Sequence, residues 1–375
     1  MNAIYSIFLG LAAATAAPPA PEKLTVETLP APGPHWVYVL DIAFANENDA
    51  RVHVFDADSH RRLGQVDAGF YPALALPPDG KTLTVATTYY ARGTRGARTD
   101  VVEFTDRSSL AATGEVVLPA KHLMSIPSYF SMGYSSDAKQ LYVSYITPAA
   151  SFGVIDPQKK RVLSEIDTAG CVLVIPWGQR RVSSICDGGQ LMTVSLDAAG
   201  HETARSRTDK FFDAETDPIF AQGIPARGGY VFLSFLGQAH EVDLTGAEPQ
   251  VRAAWPLLSG ATDRGWRPGG MQIGAVHQGL GRLFVSMHQG GEGTHKDGGT
   301  EIWVFDLKTH QRLARWPLNR SQVDPVIALQ VSQDTHPVLF AATDTGNLAV
   351  LDALTGQVRH VEKHLGQTPQ FLLNP

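Results

Sequence analysis

The chain of 375 residues holds only two cysteines, Cys171 and Cys186, so it cannot build a Cys-rich zinc site. It also lacks a His-Glu-x-x-His pair, a Gly-x-Ser-x-Gly elbow and a phosphate-binding loop, which removes the common signatures of metalloproteases, α/β-hydrolases and nucleotide-binding enzymes. Cations are not in excess. With 31 Lys and Arg against 37 Asp and Glu, the formal net charge of −6 argues against a nucleic-acid partner. Long periodic helical stretches are missing too, whereas 35 Gly and 24 Pro favour turns and short strands. After the N-terminus no apolar run is long enough to span a bilayer, so no membrane insertion is expected of the mature chain.

The N-terminus itself is apolar and small from Ile4 to Ala17, and Ala14-Thr15-Ala16 fits a small-x-small cleavage site. Residues 1–16 therefore read as a signal peptide and predict a periplasmic protein, although the segment carries no Lys or Arg. Residues 17–35, rich in Pro and Ala, read as an extended arm, and 36–375 as a single domain. In an oxidising compartment two cysteines favour a disulfide. The runs after Cys171 and before Cys186 read as strands around a Pro176-Trp177-Gly178-Gln179 turn, which sets the two cysteines opposite each other.

What the chain does have is a repeat. A strand, commonly an Asp, a polar turn and another strand recur with anchors at positions 56, 105, 156, 197, 243, 306 and 352, which lie 41 to 63 residues apart. Four strands and their turns occupy about 40–50 residues, the spacing of a propeller blade. A second strand–turn–strand pattern sits between the anchors, as in Ala73–Leu76, Asp79-Gly80-Lys81 and Thr82–Ala86. The expectation is an all-β, seven-bladed β-propeller of four-stranded antiparallel blades. Trp36–Val39 and Pro369–Leu373 would share one blade and so close the ring, removing its exposed edges.

In such blades the connections between strands one and two and between three and four lie on one face. These read as short turns. The other connections hold every long loop, including 42–48, 89–98, 121–127, 209–218, 259–270 and 289–297, so one face is expected to hold a partner or ligand. Aromatic and Arg side chains there are of the types favoured as interface anchors. His277, His288 and His295 match no common metal spacing. Asp217, Asp263 and Glu292 have nothing in the sequence to bring them together.

Several segments nevertheless carry a resemblance. They are Arg51–Asp56, Thr87–Glu103 with its Arg-Gly-Thr-Arg-Gly-Ala-Arg-Thr-Asp core, Gly170-Cys171 with Ile185–Gly189, Asp217–Phe220, Trp266–Gly270 and Gly291–Lys296 leading into Glu301–Asp306. Together they resemble the large (heavy) subunit of the tryptophan tryptophylquinone amine dehydrogenases, on the side of the aromatic amine (aralkylamine) enzymes. The resemblance implies a heterotetramer of two large and two small subunits, with the quinone cofactor and the catalytic base on the small subunit and none in this chain. It implies oxidative deamination of a primary amine to aldehyde and ammonia, with electrons passing to a copper protein. It places Phe44 at the substrate channel. Tyr89, Arg92, Arg95, Arg98, Trp266, Arg267, His295 and Lys296 fall on the expected partner face. The alternatives are a stand-alone exported binding propeller without activity, and a self-sufficient propeller enzyme.

Overall fold

The structure is a computed structural model that describes residues 27–125 and 127–375; the expected signal peptide and the first part of the arm lie outside them. Among the described residues the only helices are three 3₁₀ turns. Everything else regular is antiparallel strand. Val, Leu and Ala dominate the inner strands, whose two faces are both buried, so they read as continuous apolar runs rather than alternating ones.

The chain enters the first sheet through Trp36–Asp41, which pairs on one side with Ala50–Asp56 and on the other with the C-terminal Pro369–Leu373. The order of this sheet puts the C-terminal strand innermost and the start of Arg61–Ala75 outermost. That long strand then changes partners. Its first half pairs with Ala50–Asp56 and its second half with Thr82–Arg92. Between the halves, Gly69 and Tyr71 adopt positive φ of 67° and 49°, which bends the strand into the next sheet.

Antiparallel sheets of four or five strands follow in chain order. They start at Met132–Tyr134, Cys171–Trp177, Ile224–Ala226 and Val326–Val331, and a further one is built on Arg282–Gln289. The core lies in slices between neighbouring sheets. Val231, Leu233 and Ala239 of one pack against Ile273, Leu283, Val285 and Trp303 of the next. At the terminal strands, Val37, Val39, Phe55 and Leu372 pack against Val338, Phe340 and Val350.

The repeated Asp has a structural job. The Asp56 carboxylate accepts the backbone N–H of Asp58 at 3.0 Å, and Asp156 those of Gln158 and Lys159 at 3.1 and 2.9 Å. Asp197, Asp243, Asp306 and Asp352 hold their turns in the same way. In the second copy the residue is Asp106, one position beyond the expected anchor Thr105, and it accepts from the backbone of Ser108 and Ser109. Hydrogen bonds from Ser108 and Ser109 pull its pKa down to about 2. Such side chain-to-backbone turns terminate a strand and fix where the next begins.

The antiparallel order assigns the connections to faces. The turns at 76–81, 135–140, 178–180 and 332–337 lie on one face with the Asp turns, and all are short. The loops at 42–49, 119–131, 208–223, 257–273 and 290–300 lie on the other. The long-loop face is thus where the sequence placed it.

On the short-turn face a titratable contact joins the first strand to the last full sheet. His35 Nδ1 sits 2.7 Å from Asp58 Oδ1, and its Nε2 sits 3.3 Å from Asp334 Oδ2. Burial lowers the His35 pKa, but the two carboxylates outweigh it and leave the group raised. A raised histidine contributes stability that is complete below its unfolded pKa of about 6.5 and is lost as pH rises through the folded value. The stability difference between wild type and His35→Gln should therefore be largest near pH 5.5 and shrink towards pH 8.5. Urea titrations at both pH values test this, and a difference that grows with pH would refute it.

Candidate functional site

Three features share the long-loop face. The first is the loop carrying Phe44. Ala43 takes a left-handed φ of 47°, and Phe44–Asn46 form a 3₁₀ turn. Asp41 anchors this loop to the C-terminal segment. It is 4% exposed and accepts the backbone N–H of Ala43 at 3.1 Å, Gln367 at 2.8 Å and Thr368 at 2.7 Å. Burial raises its pKa, yet nearby His53 and these N–H groups outweigh it and hold Asp41 low and ionised. The Phe44 N–H donates to Thr368 Oγ1 at 2.9 Å, while the residue as a whole is 40% exposed. The Phe44 ring is thus presented to solvent from a fixed backbone.

The second is a projecting hairpin formed by Thr82–Arg92 and Arg95–Asp106. Gly93 at the tip has φ of 72°, which the tight reversal requires. The base is pinned by Asp100, which is fully buried. Its oxygens accept Arg98 Nε at 2.7 Å and Nη2 at 2.8 Å, Thr88 Oγ1 at 2.9 Å and the His122 backbone N–H at 2.8 Å. Tyr89 donates its hydroxyl to Glu103 at 3.0 Å. Burial raises the pKa of both groups, so Tyr89 stays neutral.

The third is a depression of about 370 Å³ built from loops far apart in sequence. Leu123, Val172, Ile219, Phe235 and Met271 are among its apolar lining, with His295 and Lys296 also lining it. Ile146 and Val172 keep 42% and 38% of their surface exposed. His295 stacks on Phe235 with centroids 4.5 Å apart. Burial and the neighbouring Lys296 lower its pKa, which keeps the ring neutral near pH 7. Gln222 lines the same depression and donates through Nε2 to the Pro127 carbonyl at 3.0 Å. Such a surface suits contact with an apolar protein surface.

The residues expected on the partner face divide. Phe44, Tyr89, Arg92 and Arg95 are presented to solvent, and His295 and Lys296 line the depression. Arg98 serves Asp100. Trp266 is not an exposed anchor: it is 7% exposed, packed beside Trp303 at 5.4 Å and covered by the Arg315 guanidinium at 4.6 Å. Arg267, in the adjoining strand register, pairs with His288 across the ladder. The three histidines stay apart in function. His277 contacts the Asp334 carbonyl, His288 contacts Thr294, and His295 stacks on Phe235. Asp263 is spent on Arg312 and Asp217 on Ser234. Among the described residues, no group of three or more His, Cys, Asp or Glu is placed to hold a metal ion. The sequence reading missed Asp100, although Arg98 and Asp100, two apart on a strand, point to the same side. It also missed the depression, which no local signal marks.

The cysteines pair as expected. Cys171 and Cys186 face each other in the ladder and form a disulfide. The turn has three residues, Gly178 to Arg180, and a bulge beyond Val172, where Leu173 has φ of 69°, restores the symmetric register.

Residues 34–374 match the family described as methylamine dehydrogenase heavy chain. The chain is 31% identical over 358 residues to the methylamine dehydrogenase heavy chain of Paracoccus versutus, covering 94% of this chain and 82% of that one. It is 26% identical over 341 residues to the heavy chain of Methylobacillus flagellatus, covering 90% and 84%. In fold it is similar to a periplasmic gluconolactonase of Pseudomonas aeruginosa, with a TM-score of 0.60 at 14% identity over 90% of this chain and 98% of that one. At that identity the likeness speaks for a propeller-like all-β fold and nothing more.

Proposed function

Because the chain belongs to the methylamine dehydrogenase heavy chain family, we propose that it is the large, non-catalytic subunit of a periplasmic amine dehydrogenase. The small subunit would carry tryptophan tryptophylquinone and the catalytic base, in an assembly of two large and two small chains. A copper protein would take the electrons. The observation that carries this reading is the long-loop face, where an apolar depression, the Phe44 loop and the hairpin share one side of a rigid scaffold. Partner surfaces gather on such loops.

The arrangement of sheets supports a ring of seven blades. Innermost strands of several consecutive sheets pack on one another, as Ile224–Ala226 on Gly274–His277 and Gly274–His277 on Val326–Val331, and the C-terminal strand packs on Val326–Val331 while pairing with the first strand of the domain. Signal peptide 1–16, arm 17–35 and domain 36–375 complete the reading. Within the arm, Leu29 donates its N–H to the Ser108 carbonyl at 2.7 Å and joins the neighbouring core.

The exposed Phe44 ring supports an aromatic substrate, since an aryl group approaching the partner's site would find an edge or face to pack on. Purification from the native envelope, followed by mass and visible spectra, tests the whole. A co-purifying small, disulfide-rich chain with quinone absorbance, bleached faster by benzylamine than by methylamine, is the expected result. Faster bleaching by methylamine would overturn the aromatic preference alone. A colourless chain without partner would overturn the subunit reading and leave an exported binding propeller.

A further inference from the structure

The hairpin tip holds a like-charge pair. Arg92 and Arg95 are direct partners in the ladder, on either side of Gly93 and Thr94. Like charges directly opposite on antiparallel strands destabilise the pair. Among the described residues neither guanidinium has a carboxylate within ion-pair distance, whereas Arg98, three residues further along the same strand, is fully engaged by Asp100. The strand geometry holds the repulsion in place. Thr88, Arg98 and His122 anchor the base through Asp100, and Tyr89 anchors the side through Glu103. Gly96 contributes as well. A Cβ there would lie 3.3 Å from Arg92 Nη2, so the glycine leaves room for that guanidinium beside the tip.

The tip is also next to the Phe44 loop. The Asn48 amide nitrogen lies 3.8 Å from where a Gly93 Cβ would stand. Any surface that meets the two arginines is therefore close to the loop bearing the exposed ring. Two unpaired cations on an anchored hairpin, close to the loop that carries Phe44 and on a chain of net charge −6, form a local feature opposed to the overall charge. Complementary potentials steer encounter and set register more than they add raw affinity.

We infer that Arg92 and Arg95 are a cationic docking arm for an acidic patch on the small subunit, and that Arg98 positions the arm without contacting the partner. This rests on the subunit reading above. It adds the charge of the partner's surface and divides the three arginines by role.

Two measurements on the isolated heterocomplex test it. In the first, Arg92→Glu/Arg95→Glu should weaken small-subunit association at least about 100-fold in 50 mM NaCl and flatten its dependence on salt, measured by sedimentation velocity. In the second, Arg95→Lys supplies an amine for zero-length carbodiimide coupling, and mass spectrometry should find it joined to an Asp or Glu of the small subunit. An unchanged association constant and salt slope for the double variant would overturn the inference while leaving the subunit reading intact. So would coupling only to another copy of the large chain. If no small subunit accompanies the chain, the inference falls together with that reading. Circular dichroism and thermal melting of the isolated double variant should match wild type, which separates lost docking from lost fold.

Discussion

Replacing Asp100 by alanine is expected to cost about 3 kcal/mol of stability, at the lower end of the roughly 3–5 kcal/mol seen when one partner of a buried ion pair is removed. The lower end applies because Arg98 keeps 20% of its side chain in contact with solvent, so part of its charge can be rehydrated. The other losses are not recovered so easily. The Thr88 hydroxyl and the His122 N–H are buried and would lose their acceptor. The His122 ring is itself buried, with its pKa pushed down to about 4 by burial, so it cannot supply a compensating charge near neutral pH. Asp100→Asn, which keeps one acceptor oxygen and the shape but loses the charge, should fall between wild type and Asp100→Ala. Urea unfolding at pH 7 would measure all three. Hydrogen exchange should locate the damage, with faster exchange at 88–100 and little change in Val326–Val331. A loss for Asp100→Ala below about 1 kcal/mol would show that the hairpin base is held by backbone pairing alone.

Features encoded over a short range of sequence are legible in it, and those that depend on distant strands are not. Strand order was legible because each strand is short, apolar and punctuated by a turn. The recurrent Asp that marks the third strand's end is also what closes the turn chemically. The one-residue slip at Thr105 arose because both Thr105 and Asp106 are plausible strand ends, and only the hydrogen bonds from Ser108 and Ser109 tell them apart. The long-loop face was legible too, since antiparallel connectivity alone assigns connections to faces. The site was legible only in part. Arg98 looked equivalent to Arg92 and Arg95, although alternation along a strand already places Arg98 with Asp100. Trp266 looked like an anchor because its loop is long. Its burial depends on Arg315 and Trp303, which lie far along the chain on neighbouring strands. The depression draws on residues from Leu123 to Lys296, and no stretch of sequence brings those together.

Removing the disulfide, by Cys171→Ala with Cys186→Ala, is expected to lower stability by about 3 kcal/mol, the loop-closure value for a link of this length. The two cysteines are 15 residues apart in sequence. For a chain of this size that corresponds to a fall of roughly 6 °C in Tm, taking about 2 °C per kcal/mol. The double alanine variant is the proper comparison because both sulfurs are buried, and serine would add two buried hydroxyls to the cost. Most of the effect should come from the unfolded chain, which regains the freedom of the closed loop. Amides that exchange only through global unfolding should then exchange faster throughout the chain, while those limited by local opening change only at the ends of the hairpin. That location bears on function. The bridge ties the first residue of Cys171–Trp177 to the last of Arg181–Cys186, and Val172 beside it lines the apolar depression. Cys171 is held by its N–H to the Thr168 carbonyl at 2.7 Å and Cys186 by its N–H to Gln190 at 2.9 Å, so the neighbouring loops loosen with them. Calorimetry of the oxidised wild type, the reduced wild type and the double variant would separate the terms. Equal Tm values for the reduced protein and the variant, both below the oxidised chain, are expected. If the variant melts with the oxidised wild type, the link adds nothing to stability, and the ladder register from Cys171 to Trp177 is sufficient to hold this edge of the depression.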